Sequence, residues 1–137
     1  MPVLSVRRGK SDKREVDGHE LAALLRRWNA EVGVIEQVGG IQGQAAGAAF
    51  NFGRAAGAVE YTMVTLGLRL VRVSPITWKK RLGIRGGKDD SRAAAMRLWP
   101  GLAERFKRVK DDGRAEAGLI GHWYNLTNGA SNVDVFG

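Results

Sequence analysis

The strongest constraint on the fold is a five-residue segment, Val32-Gly33-Val34-Ile35-Glu36, in which an apolar run ends in a carboxylate. An uninterrupted apolar run of this length is typical of a buried parallel strand, because both faces of such a strand are covered. Segments with helical spacing lie on either side of it. Strands that alternate with helices predict an α/β domain with a largely parallel core.

The other segments predict the rest of that domain. We expect a strand over residues 2–6, and we interpret the charged stretch Arg7–Glu15 as a loop. Asp17-Gly18-His19-Glu20 is typical of a capping box, which predicts a helix over residues 18–29. The remaining expectations are a strand at 68–73, a short helix opened by Pro75, a loop at 83–87, and helices at 89–99 and 112–124, the last of them capped by an Asp. Residues 1–124 are thus expected to form one domain, followed by a flexible tail at 125–137.

The segment 41–67 is rich in Ala and Gly but also carries Phe50, Phe52, Tyr61 and Met63. A flexible linker is one interpretation, and the aromatic and aliphatic content argues against it. The glycines are expected to let a helix approach a sheet or a neighbouring chain closely, at positions 43, 47, 53 and 57. The sequence leaves open whether that helix packs on its own sheet or forms a dimer interface.

Positive charge is concentrated in one third of the chain. The formal net charge is +8, and residues 69–110 hold 13 Lys or Arg against three Asp or Glu. Charge of one sign gathered in this way favours a docking surface for a polyanion, most often nucleic acid. The alternative is a solvated basic face on ordinary helices.

Several classes of protein are excluded or disfavoured. The chain has no Cys, so it has no disulfide framework, thiolate zinc site or Cys nucleophile. No apolar run reaches the ~18–20 residues that a membrane span needs, and the N-terminus lacks the order of a signal peptide, so we expect a cytoplasmic location. His19 and His122 stand alone in the sequence and are expected to be surface or packing residues rather than ligands.

Three carboxylates are candidates for chemistry. Glu36 closes its strand where open α/β sheets place their ligands, and Asp112 and Glu116 lie four residues apart on one helical face. If they converge, they would hold hard divalent cations, with Mg²⁺ favoured over other metals. Two such ions clamp a phosphodiester and activate water. Structural alternatives remain for each: a surface Glu36, a helix-capping Asp112 and a Glu116 that pairs with an exposed Arg.

Taken together, these motifs resemble the RuvC-type Holliday junction resolvases of the ribonuclease H-like superfamily. The segments that carry the resemblance occur in the family's order over residues 2–124: Val34-Ile35-Glu36-Gln37-Val38, Phe50-Asn51-Phe52-Gly53, Val73-Ser74-Pro75 with Trp78-Lys79, Lys88 at the start of a basic helix, and Asp112-Gly113-Arg114-Ala115-Glu116-Ala117. The Phe-Asn-Phe-Gly segment favours a phage or prophage-like branch. The resemblance implies a central mixed sheet flanked by helices.

The resemblance also assigns roles to residues. It implies that Glu36, Asp112 and Glu116 are catalytic ligands of Mg²⁺ or Mn²⁺, and that Lys88 lies near the scissile phosphate. It further implies that Lys79, Lys80 and Arg81 contact the DNA backbone, and Arg85, Lys88 and Arg92 complete the DNA-binding set that we predict. Family members act as homodimers on four-way junctions, so the same assembly and substrate are expected here.

The N-terminus departs from the family. No Gly-Ile-Asp-Pro-Gly type motif, whose Asp is the family's first metal ligand, occurs near Met1. We therefore expect an N-terminally truncated ribonuclease H-like fold. Three functions stay open: a metal-dependent endonuclease for branched DNA, a non-catalytic DNA-binding remnant of such an enzyme, and a transposase-like or integrase-like member of the superfamily. The short length counts against the third.

Overall fold

The computed structural model describes residues 1, 3–8, 11–39 and 42–128. The described elements, in chain order, are β1 (Val3–Arg8), β2 (Ser11–Val16), α1 (Gly18–Arg27), β3 (Val32–Glu36), α2 (Ala46–Thr65), β4 (Arg69–Val73), α3 (Pro75–Arg81), α4 (Lys88–Leu98), the 3₁₀ segments Pro100–Phe106 and Val109–Asp111, and α5 (Asp112–Thr127). The alternation of strands and helices confirms the mixed α/β class. None of the described helices is long and apolar enough to cross a membrane.

The described strands form two separate two-stranded sheets, β1–β2 and β3–β4. The second pair is parallel, because the amide of Arg69 donates to the carbonyl of Glu31 (3.0 Å) and the amide of Gln37 donates to that of Val73 (2.8 Å). The parallel pair was expected from the apolar run at β3. The single central mixed sheet and the N-terminal truncation are not confirmed.

The prediction of a charged loop over Arg7–Glu15 was wrong. β1 and β2 form an antiparallel hairpin, with Val3 opposite Val16 and Arg8 opposite Ser11. The backbone hydrogen bonds of a ladder do not depend on side-chain polarity, so a polar stretch can form a strand once a neighbour pairs with it. The polar composition of this segment therefore did not predict β2.

Contacts divide the chain into two compact units. The first unit comprises Met1–Ile35 and Gly39–Val71, and it holds the hairpin, α1 and α2. α1 begins as predicted, with the Asp17 carboxylate accepting from the Glu20 amide at 3.0 Å. Leu21 and Leu25 are its buried residues. At Gly33 a Cβ would collide with the Met63 side chain. A larger residue at this position of β3 therefore requires the Met63 side chain to move.

The expectation that the glycines of segment 41–67 let the helix approach its own sheet closely was wrong, whereas a close approach to a neighbouring chain stays a prediction. A Cβ added at Gly43, Gly47, Gly53 or Gly57 would meet nothing within 4 Å among the described residues. None of the described residues of α2 is buried, and Phe50 and Tyr61 are 63% and 68% exposed. α2 is a helix as the aromatic content indicated, but its glycines do not mediate a close approach here.

The second unit comprises Glu36–Val38 and the described part of Arg72–Gly137. Its apolar core is the larger one, with the following residues buried: Val73, Trp78, Ile84, Ala95, Phe106, Ala115, Leu119 and Ile120. α5 ends at Thr127 rather than at 124, so residues 125–127 are helical and not part of a tail. The rest of the predicted flexible tail, from residue 129, lies outside the described residues.

An Asp does occupy the N-cap position of α5, but its side chain does not cap that helix. The Asp111 carboxylate instead accepts from the backbone N–H and the guanidinium of Arg108, and these contacts, led by the guanidinium hydrogen bond, lower the pKa of Asp111. This ion pair closes the 3₁₀ turn immediately before α5. It thereby fixes the start of the helix that carries Asp112 and Glu116.

Candidate active site

The candidate site lies in the second unit, at the carboxyl ends of the parallel strands. Glu36 is the last residue of β3, and β4 ends at Val73. Ser74 follows directly and caps α3, because its hydroxyl accepts from the amide of Thr77 at 3.2 Å. The short link between β4 and α3 brings the side chains of α3 to the end of β3, as open parallel sheets commonly arrange for a ligand site.

Glu36 and Glu116 lie together at this strand end. Burial raises the pKa of Glu36 above its ordinary 4.5, and the charge of Glu116 adds to that rise. Two half-buried carboxylates that repel each other are stabilised by a shared cation or proton. Of the carboxylates predicted from sequence, these two are therefore brought within electrostatic reach of one another.

α3 supplies the groups that offset this repulsion. The ammonium of Lys79 lies 3.8 Å from Oε1 of Glu116 and also lowers the pKa of Glu36. The indole N–H of the fully buried Trp78 lies outside normal hydrogen-bond geometry with any described group. It still faces Glu36 closely enough to lower the pKa of that carboxyl. A buried N–H close to a carboxylate makes the end of β3 a polar position beside the apolar core.

Asp112 is one turn before Glu116 on α5 and is paired with a different lysine. Lys88 Nζ lies 2.9 Å from Asp112 Oδ2, and this hydrogen bond is the main cause that lowers the pKa of Asp112. The same contact raises the pKa of Lys88. Lys88 is therefore directed at the acids of α5, although 74% of its side chain is exposed.

The expected convergence of three carboxylates is not formed in the described part of the chain, where no group of three His, Asp or Glu side chains is arranged to hold a metal. The donor set nevertheless suits a hard divalent cation. Glu36 and Glu116 offer carboxylate oxygens in a half-buried place where burial and then the like charge raise the pKa of Glu36, and hard oxygen ligands are those Mg²⁺ prefers. Their assignment as metal ligands stays a prediction.

Of the six predicted DNA-binding residues, Lys79 and Lys88 pair with acids of α5, and the other four fall into two groups. Lys80, Arg81 and Arg85 are exposed and make no hydrogen bond or ion pair with the described residues. Arg92 is only 12% exposed at its side chain, where it pairs with Asp89 and donates to the carbonyl of Lys107 at 2.6 Å. The first group is open to a ligand, whereas Arg92 holds α4 to the segment that follows Phe106.

Sequence reasoning missed two residues at the site. Ser91, which is fully buried on α4, donates a hydrogen bond from its hydroxyl to Oε1 of Glu116 at 3.2 Å. Trp78 was noted only as part of a motif, not as a neighbour of Glu36. Both contacts join residues far apart in sequence, so the local spacing of residues does not predict them. His122 was expected to be a packing residue, and its ring does pack edge-on against Trp99 at 6.0 Å between centroids.

Comparison with known proteins supports the fold. No protein-family model matches the chain, and no curated protein sequence matches it. Fourteen solved chains match its structure. One is the structure of RuvC from Thermus thermophilus, with a TM-score of 0.57 and 17% identity over 92% of this chain and 87% of that chain. The chain therefore has a RuvC-like fold.

Proposed function

We propose that this protein is a metal-dependent endonuclease that cuts branched DNA, in the manner of Holliday junction resolvases. The observation that carries the proposal is the pair Glu36 and Glu116 at the end of the parallel strands, with Lys79 beside Glu116. The RuvC-like fold supports it, because the structure that matches is that of a RuvC protein. A role in recombination or in phage DNA processing belongs to the same proposal.

Glu36 and Glu116 would hold the metal, with Asp112 as a further ligand one turn away. A bound Mg²⁺ or Mn²⁺ supplies an activated water and stabilises the leaving oxygen of a phosphodiester. The chain's own contribution is to orient the carboxylates and to limit the rise in the pKa of Glu36. Lys79 and Trp78 do this for Glu36, since both lower its pKa against the effect of burial.

Lys88 has an electrostatic role in this proposal. Its ammonium neutralises Asp112 at 2.9 Å and, being exposed, can turn to a phosphate once that acid has another partner. A cation close to the transferring phosphate stabilises the charge that develops in the transition state. The proposed function of Lys88 is thus electrostatic. Lys79, on α3, adds a second positive charge beside Glu116.

DNA is the proposed partner of the basic segment. The exposed side chains of Lys80, Arg81 and Arg85 follow Trp78 and Lys79 closely in sequence, so positive charge continues along the chain beyond Lys79. Backbone phosphates are recognised by such charges without reading sequence. The preference for a junction over a duplex rests on the fold comparison alone.

We also propose a homodimer, because a four-way junction offers two symmetric strands to cut. α2 supports this through its exposed apolar side chains, which include Phe50 at 63% and Tyr61 at 68%. Large exposed apolar side chains gathered into a contiguous patch are a feature of interaction surfaces. Sedimentation velocity at several protein concentrations tests the assembly.

The test of the proposed activity is nicking of a labelled four-way junction with Mg²⁺ or Mn²⁺. We expect paired nicks from the wild-type chain and a loss of at least about 100-fold in Glu36→Gln, since one metal-binding charge is removed. Glu31→Gln is the matched control, because Glu31 is an exposed carboxylate just before β3. Equal nicking by wild type and Glu36→Gln contradicts the assignment.

A non-catalytic DNA-binding protein is the second candidate. It is favoured by the pairing of Lys88 with Asp112 and of Lys79 with Glu116, which gives each of these two acids of α5 a lysine partner. This candidate predicts salt-sensitive binding of the junction with no nicking in any metal. Specific nicking that Glu36→Gln abolishes excludes it.

A further inference from the structure

Ser91 makes a contact that the proposed activity does not yet use. Its side chain is fully buried in the first turns of α4, yet its hydroxyl donates to the carboxylate of Glu116 on α5 at 3.2 Å. A serine in a helix commonly returns its hydrogen bond to its own backbone. Here the hydroxyl crosses to a neighbouring helix instead, from a serine that is itself fully buried to a carboxylate that is 21% exposed.

The contact is one of two polar side-chain contacts between α4 and α5. On α4, Lys88 and Ser91 are three residues apart and share a face; on α5, Asp112 and Glu116 are four apart and share the opposing face. Lys88 bonds to Asp112 at 2.9 Å and Ser91 bonds to Glu116 at 3.2 Å. One face of α4 therefore contacts both acids of α5.

Small residues bring these helices close enough for a short side chain to reach. Ala95, one turn after Ser91, and Ala115, beside Glu116, are both 0% exposed. A serine hydroxyl extends only one bond beyond Cβ. The hydrogen bond from Ser91 thus depends on close packing between α4 and α5. This packing limits the orientations open to the Glu116 carboxylate.

The two contacts of Glu116 fall on the same oxygen. Ser91 Oγ and Lys79 Nζ both approach Oε1, at 3.2 Å and 3.8 Å. Oε2 makes no hydrogen bond or ion pair with the described residues. A carboxylate held by one oxygen presents the other in a fixed direction, as outer-shell partners do for metal ligands.

We propose that Ser91 is a positioning residue, which fixes the Glu116 carboxylate so that Oε2 is available to a divalent cation. A neutral hydroxyl orients the acid without cancelling its charge, unlike a second lysine. This inference rests on the proposed function, in which Glu116 is a metal ligand. It adds a residue that neither the sequence motifs nor the fold comparison assigns.

The test is Mn²⁺ binding to the full chain without DNA, measured by titration calorimetry, for wild type, Ser91→Ala and Glu116→Gln. We expect Ser91→Ala to bind Mn²⁺ about 10-fold to 100-fold more weakly, the usual cost of losing an outer-shell partner. The variant should fold, because alanine suits a helix and fits the volume that the serine leaves. Its urea midpoint, measured alongside, verifies this.

Asp17→Ala is the control for a general loss of stability. It removes the cap of α1, which lies in the other unit, so it should lower the urea midpoint but leave Mn²⁺ affinity unchanged within about twofold. If Ser91→Ala leaves the Mn²⁺ affinity unchanged while Glu116→Gln weakens it, the role of Ser91 is overturned and the ligand assignment of Glu116 stands. Unchanged affinity in both variants, or no Mn²⁺ binding by wild type, overturns the ligand assignment and the inference with it.

Discussion

The basic residues after Trp78 should control the salt dependence of DNA binding. Lys80, Arg81 and Arg85 are exposed and make no ion pair with the described residues, so each is available to a phosphate. Every phosphate neutralised on duplex DNA contributes about 0.9 to the slope of log affinity against log salt. Replacing all three by Ala should therefore lower the slope by about 2.7 if each makes one contact.

That change of slope is large enough to measure. Between about 50 mM and about 200 mM salt, a slope change of about 2.7 corresponds to a difference of about 40-fold in how much affinity is lost. Fluorescence anisotropy with a labelled junction, at four or five salt concentrations, gives the slope directly. The fold should survive, because the three side chains lie at the surface and surface substitutions typically change stability little.

The matched control removes the same charge from elsewhere. Arg14, Arg26 and Arg27 are exposed residues of the first unit, and their replacement by Ala also lowers the formal net charge from +8 to +5. We expect this control to change the slope by less than about 1. If both triple variants lower the slope equally, the protein binds through total charge, and the assignment of a DNA surface to this segment is wrong.

Three further predictions concern the core and the titrating groups. Phe106→Ala, at a fully buried position, should lower the free energy of unfolding by about 3–5 kcal/mol in urea, whereas Phe52→Ala at 47% exposure should cost under about 1 kcal/mol. Glu116→Gln should lower the pKa of Glu36, because it removes the like charge that adds to the effect of burial; carboxyl NMR titration measures this. Burial lowers the pKa of His122 below 6.5, so the folded state binds fewer protons than the unfolded state as pH falls through 6.5. Stability should then decrease as the pH falls through about 6.5, and the urea midpoint of His122→Gln should decrease less over the same change of pH.

Local signals in the sequence predicted those elements whose causes are local. The cap at Asp17 bonds to an amide three residues away, and α1 begins there as expected. The apolar run that ends in Glu36 predicted β3, and Ser74-Pro75 predicted the start of α3. In each case a few neighbouring residues determine the backbone.

Elements that depend on a distant partner were harder to predict. β2 is polar and becomes a strand through its pairing with β1, in register from Val3↔Val16 to Arg8↔Ser11. Its sequence signal was the two-residue connection between Arg8 and Ser11, which is the commonest hairpin length. The prediction did not consider that signal and took the charged stretch as a loop.

The candidate site shows the same division. Glu36 and Glu116 were identified from a strand end and a helical face, and the structure places them within electrostatic reach. The lysine partners of the acids and the hydroxyl of Ser91 were not identified as partners, because those contacts join α3, α4 and α5. Residue type and spacing thus indicated the chemistry, while packing determines which side chains support it.

The most direct test of the central claim is the location of Mn²⁺ in crystals of the protein soaked with the metal, from its anomalous scattering. The account predicts a peak within coordination distance, about 2.0–2.6 Å, of carboxylate oxygens of both Glu36 and Glu116. It also predicts that Lys79 then lies beside the site rather than within it. A map with no peak at these two residues, or with a peak only at other carboxylates, would contradict the claim that they form the metal centre of a nuclease.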